Sequence, residues 1–318
     1  MMSDFIQALL NPHVPFLRYA LIGGILASMS FGVMGTYVVV QRISYVAGAI
    51  SHAVLGGIGV ALYLNRAKGL EFILPIHGAL AAALLAALAV GIVSVYAKQR
   101  EDTALGALWA TGMAVGMIFL ARTPGYVDPM SYLFGNILIM SKQDLWMIAG
   151  LDVLVLAVVA VFYNQFAALV FDQEFAMARG LRVGVYSMLM LCLAALTVVL
   201  MVGTVGIVMV VALLTLPAAI ASLFCRSLKS MMVVSAVLCM VFTTAGLGFS
   251  YTSDLPTGPS IIVIAGLVYL STLVGVRIRK RVVGPVRAGR SSVRDEAGCQ
   301  GSVCDEQSIK TRNHHVQG

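Results

Sequence analysis

The chain has 318 residues, of which 60% are hydrophobic and 11% charged, and its mean hydropathy is +0.94. A soluble domain carries roughly 25% charged residues, so this composition excludes a water-soluble globular protein and predicts a polytopic membrane protein. The net charge of +7 does not point to nucleic acid, because the basic residues gather at the ends of apolar runs, as in proteins oriented by positive charge on the cytoplasmic side.

Apolar runs cover residues 16–40, 46–64, 72–97, 104–121, 144–163, 183–203, 205–224, 230–250 and 258–276. Each is near the roughly 20 residues that cross a bilayer as helix. Open sheet edges leave backbone groups unpaired in lipid, and the runs are too long and too uniformly apolar for barrel strands. The expected fold is therefore all-α, a transmembrane bundle of about nine spans. The first run has no small-residue cleavage site behind it and reads as a retained span.

The second run contains "GAISHAVLGG", with His52 the one histidine, and no Asp, Glu, Lys or Arg, between Val46 and Leu64. On a helix, Gly48, His52 and Gly56 share one face at i, i+4 spacing. Two readings fit. The glycines permit close helix packing while the imidazole bonds a neighbour. Alternatively the imidazole is a cation ligand on a path, since neutral imidazole suits zinc, iron and nickel. The loop "NRAKG" follows, then His77 just after Pro75 near the start of the third run, an interfacial residue or an outer-mouth ligand. "AKQRED" (97–102) is the first strongly basic connection.

Residues 122–144 carry Pro124, Gly125 and Pro129 before an apolar "SYLFGNILIM", which predicts a short helix on the outer side. In the fifth run Asp152 is a second buried candidate, because a carboxylate in lipid needs a cation or a donor. Residues 164–183 mix Asp172, Glu174, Arg179 and Arg182 with Phe171, Phe175 and Met177. That pattern predicts one amphipathic cytoplasmic helix ended by Gly180, resting on headgroups or docking a partner. "CRSLK" (225–229) and "RIRKR" (277–281) are basic as well. Together with 97–102 they place the N-terminus outside and the C-terminus in the cytoplasm; "NRAKG" falls on the outer side against this rule.

The expected division is a transmembrane permease domain at 1–283 and a disordered cytoplasmic tail at 284–318, which is Gly-, Ser- and charge-rich. Its Cys299, Cys304, His314 and His315 fit no standard zinc spacing. Cys192, Cys225 and Cys239 lie in or beside spans and read as small hydrophobes. Methionines such as Met29, Met34, Met113 and Met209 read mainly as gap-fillers of the bundle, with soft-cation binding as the alternative. No G-x-x-x-x-G-K-[ST] loop, G-x-S-x-G elbow or H-E-x-x-H pair is present, so the chain carries no ATPase of that type.

Five segments resemble one family in order: "VVVQRISYVAGAISHAVLGGIGVAL" (38–62), "MSYLFGNIL" (130–138), "FDQEFAMARGL" (171–181), "VGIVMVVALLTLPAAIASLF" (205–224) and "DLPTGPSIIVIAG" (254–266). They resemble the zinc/manganese/iron permease family of ATP-binding-cassette importers. The resemblance implies the helical fold shared with cobalamin and iron-siderophore permeases, in the bacterial inner membrane. It implies a permease rather than an enzyme, importing a divalent transition metal (zinc, manganese or iron) with no permanently bound cofactor.

The implied partners are a second permease subunit, a cytoplasmic ATPase that binds the ATP, and an extracytoplasmic metal-binding protein. The 164–183 segment becomes the ATPase-coupling helix, with Phe171, Asp172, Glu174, Phe175, Arg179 and Gly180 as its docking residues. His52 becomes a transient metal ligand, with Asp152 and His77 as further candidates, and Gly48 and Gly56 pack helices near the path. The family carries an aspartate four residues before this histidine; here that position is Gly48, so another carboxylate compensates or the site is weak. An ion-coupled secondary carrier would instead carry inverted repeats and midplane charges. A membrane-embedded enzyme would need a nucleophile, metal site or carboxylate pair on facing spans.

Overall fold

Why these runs become helices is plain from the hydropathy, and how they pack is set by where the small residues fall. In the computed structural model the described residues are 15–70, 72–96, 101–125, 128–135, 137 and 140–282. The expected tail at 284–318 and residues 97–100 of the basic connection lie outside them. Among the described residues, nine helices are long and apolar enough to cross a membrane. In chain order the helices are α1 (Pro15–Val40), α2 (Ser44–Lys68), α3 (Pro75–Tyr96), α4 (Glu101–Arg122), α5 (Pro129–Phe134) and α6 (Lys142–Val161). They continue with α7 (Tyr163–Phe171), α8 (Gln173–Ala178), α9 (Val183–Val205), α10 (Ile207–Phe224), α11 (Leu228–Ser253) and α12 (Thr257–Val282). The all-helical expectation holds, and the short outer helix appears as α5, capped by Asp128, whose carboxylate accepts the Met130 N–H.

The chain divides into residues 1–275 and 276–318; of the second unit the described residues, 276–282, are helical. Within the first unit α2 is the most deeply buried span and is held between α4 and α3, while α1 packs on α11, α10 and α6. The α2–α4 seam is close because it is built from glycines. A Cβ on Gly112 would lie 2.6 Å from the Ala53 Cα, and one on Gly56 would lie 2.9 Å from the Gly112 carbonyl oxygen. Without an aqueous driving force in lipid, such backbone approach is what holds helices together.

Local chemistry sets the breaks. The basic end of the "NRAKG" loop is helical, so α2 runs to Lys68 and stops at Gly69, whose N–H bonds the Leu64 carbonyl. α6 begins with a capping box, in which Ser141 and Asp144 satisfy each other's backbone N–H. α9 and α10 are separated at Gly206, φ 88°, which lies against Gly135, φ 64°. Any Cβ at Gly206 would run into the backbone of Phe134 and Gly135, so both the turn and the contact require glycine.

One expectation is corrected. Residues 164–183 do not form a single amphipathic helix. The chain leaves helical geometry at Asp172, φ −156° and ψ 103°, and the Asp172 carboxylate accepts the Phe175 N–H to start a new helix. An aspartate that can cap its own downstream turn competes with helix continuation. The result is α7 and α8 with a corner between them. Gly180 does end the second helix: it adopts φ 78°, and the Leu181 N–H returns to the Ala176 carbonyl.

Candidate functional site

The site is built on the α2–α4 seam. His52 lies in the third turn of α2 and is 8% exposed. Its ring stacks on Trp109 of α4, centroids 4.4 Å apart and planes 21° from parallel. Its Nδ1 is buried and, among the described residues, has no hydrogen-bond partner. A buried imidazole nitrogen without a partner is uncommon and costly.

Gly48 lies one turn before His52 and faces the same indole. A Cβ at this position would lie 2.7 Å from Cζ3 and 3.2 Å from Cη2 of Trp109. Gly56, one turn after, meets the Gly112 backbone of α4. The three residues that share a face in the sequence therefore all face α4. The indole stands in the volume that a side chain at position 48 would need.

Asp152, 4% exposed, is in the middle of α6. The Ser30 hydroxyl of α1 donates to its Oδ1, and its Oδ2 has no partner among the described residues. His77 is exposed at the start of α3, where its Nδ1 accepts the Leu74 N–H at 3.3 Å and its ring stacks on Phe72. His52, Asp152 and His77 thus have separate partners. Among the described residues no group of three or more His, Cys, Asp or Glu could hold a metal ion.

Cavities open along the bundle among the described residues. One, about 580 Å³, is lined by Gln41, Arg42, Leu105, Leu108, Thr111 and Phe171. Its lining runs from Leu108 and Thr111 of α4 to Leu169, Val170 and Phe171 of α7. Another, about 600 Å³, is lined by residues including Ser131, Tyr132, Gln143 and Asp144 near the start of α6.

The α7–α8 corner presents a mixed surface. Phe171 is 69% exposed, Phe175 51% and Met177 55%. The Arg179 guanidinium lies 4.6 Å over the Phe175 ring, and Glu174 is exposed beside it. Exposed aromatics with a charged rim are the composition of a protein interface.

Reasoning from the sequence missed Trp109 and Ser30. A single tryptophan in an apolar run and a serine in another carry no periodic signal. The signal within reach was the Gly112/Gly116 pair of α4, a small-xxx-small face of the type that lets two membrane helices meet.

The family described as the ABC 3 transport family matches residues 13–275. An uncharacterised membrane protein of Synechocystis sp. is 38% identical over 274 residues, 86% of this chain and 94% of that protein. The manganese import system permease protein ScaB of Streptococcus gordonii is 33% identical over 270 residues, 85% of this chain and 94% of that protein. The solved structure of PsaBC from Streptococcus pneumoniae in complex with Fab is similar with a TM-score of 0.75 and 31% identity. The match covers 86% of this chain and 95% of that one.

Proposed function

The chain belongs to the ABC 3 transport family, and on that premise we propose that it is the membrane-spanning permease of an ATP-driven importer of divalent transition metal ions. The observation that carries the metal reading is His52: a buried imidazole in the most buried span, with its Nδ1 unpartnered. The permease has no catalytic step of its own. ATP is bound by a separate cytoplasmic ATPase, an extracytoplasmic metal-binding protein delivers the ion, and a second permease subunit completes the path. Zinc, manganese and iron all accept an imidazole ligand, and affinity order alone does not choose among them.

Transport follows from weak ligation. The ion arrives at the outer mouth, sheds water, and meets the His52 imidazole as one of few protein ligands. A tight, complete ligand set would hold the ion, whereas a site that is left as easily as it is entered passes it on. Asp152 Oδ1 and His77 Nδ1 already have donors, Ser30 and the Leu74 N–H, and Asp152 Oδ2 stays unpartnered among the described residues; His52, in the most buried span, is the ligand we place on the path. The ATPase docks on the α7–α8 corner through Phe171, Phe175 and Met177, with Asp172, Glu174 and Arg179 as the polar rim and Gly180 setting its end. The cavity between Leu108, Thr111 and Phe171 gives α7 room to move against the seam that holds His52.

The test is total cell metal by mass spectrometry, in cells making this permease with its own ATPase and binding protein. Wild type is compared with His52→Ala at matched membrane abundance. One divalent metal should accumulate in wild type and fall to background in the variant. Equal accumulation would remove His52 from the path, and no accumulation in either would sink the importer reading.

A further inference from the structure

We propose that Trp109 is the positioning residue for His52. Its indole takes the place of a second side chain at the site and holds the imidazole edge-on to the path. The proposal rests on the reading of His52 as a path ligand and concerns how that one ligand is made competent.

Three observations carry it. First, the stack covers one face of the imidazole, so the indole does not stand in the ring plane where the nitrogen lone pairs point. A metal binds imidazole in the ring plane, along the nitrogen lone pair, so a face-on neighbour orients the ligand without competing for it. Second, the Nδ1 in that plane is buried and without a partner among the described residues. Metal-binding histidines are otherwise held by a hydrogen bond from their second nitrogen; among the described residues no hydrogen bond holds the His52 ring, and the stack on Trp109 is the contact that sets its plane.

Third, Gly48 has no room for any side chain while the indole is in place, because the Cβ position lies 2.7 Å from Trp109 Cζ3. The residues at 48 and 109 therefore compete for one volume. This chain gives it to an aromatic face. An indole adds attraction for the positive charge that the imidazole takes on when it binds a cation, and it adds no further ligand atom that would slow release.

The competition makes a testable triangle of Gly48, His52 and Trp109. The chain contains two tryptophans, and Trp146 is an exposed residue of α6, so a Trp146→Phe background leaves Trp109 as the sole indole fluorophore. The full-length chain in detergent is titrated with zinc chloride. Zn²⁺ has a filled d shell, so an emission change reports a change in the indole's surroundings. The emission of Trp109 should change on zinc addition and not change in His52→Ala.

Removing the stack with Trp109→Ala should weaken zinc binding, read by calorimetry, by about three- to tenfold. Trp109→Phe, which keeps an aromatic face, should recover most of that loss. Gly48→Ala should behave like Trp109→Ala, because its methyl displaces the indole, and should add nothing further in a Trp109→Ala chain. Circular dichroism and membrane abundance separate these effects from misfolding.

Unchanged zinc affinity and unchanged uptake in both Trp109→Ala and Gly48→Ala, with uptake still lost in His52→Ala, would overturn the role of Trp109 and leave the path intact. Full uptake in His52→Ala would instead remove the path reading, and this inference with it.

Discussion

His52 and Asp152 are both buried polar side chains, yet their surroundings treat them differently. Asp152 is given a donor: the Ser30 hydroxyl reaches it across the α1–α6 contact. A carboxyl in lipid without a donor is expensive, so this bond ties two spans together. Ser30→Ala removes the donor and leaves the carboxyl buried. The expected cost is about 1–3 kcal/mol, read as a lower unfolding midpoint of the purified chain. Asp152→Asn keeps an acceptor oxygen for Ser30 and should lose less. A Ser30→Ala chain that unfolds like wild type would mean the bond contributes nothing. His52 was legible in the sequence because it stands alone among apolar neighbours, and the shared face with Gly48 and Gly56 followed from helical spacing. What lies across from that face was not legible. The partner, Trp109, is far along the chain, and only packing brings it to the imidazole.

At the level of helices, spans follow from hydropathy and seams follow from small residues. The nine apolar runs become nine spans among the described residues because backbone groups in lipid must be satisfied within the segment. The helix ends were less legible, since α2 and α12 continue into basic residues that the runs exclude. The corner at Asp172 was also hidden, because an aspartate in an amphipathic pattern reads as a polar-face residue until its cap bond to Phe175 is seen. Seams make a sharper prediction. Gly112→Ala places a methyl 2.6 Å from the Ala53 Cα, and backbone cannot yield as a side-chain tip can. Overpacking of this kind costs about 1–3 kcal/mol. Gly150→Ala on α6 meets nothing within 4 Å and should be neutral or slightly stabilising, since alanine is the better helix former. Thermal unfolding of the two variants should therefore diverge, and equal midpoints would show that the α2–α4 seam tolerates a Cβ.

For the whole molecule, the question is which way the bundle faces. An odd number of spans, such as the nine found among the described residues, predicts ends of the chain on opposite sides. Lys and Arg retained near span ends favour the cytoplasm. Along the sequence, the span ends expected on one side carry Arg42, Lys98, Arg100, Arg179, Arg182, Arg226, Lys229, Arg277, Arg279, Lys280 and Arg281; those expected on the other carry Arg18, Arg66, Lys68, Arg122 and Lys142. By that bias we predict that the α7–α8 corner and the 580 Å³ cavity face the cytoplasm, where an ATPase would meet them. The same bias predicts that Phe72 and the α5 segment lie outside, where a delivery protein would dock. Arg66 and Lys68 do not reverse this balance, because orientation follows the overall bias rather than any single loop. Cysteine labelling of intact cells tests the arrangement. Phe72 is 87% exposed in the connection between α2 and α3, and Phe72→Cys should react with a membrane-impermeant maleimide from outside. Glu174→Cys, exposed on α8, should react only after the cells are permeabilised. The native cysteines lie in spans or on the inner side under this orientation, so the parent chain should give no signal from outside. Labelling of Glu174→Cys in intact cells would invert the bundle. The aromatic corner would then face away from any cytoplasmic ATPase, and the coupling role assigned to it would fail with the orientation.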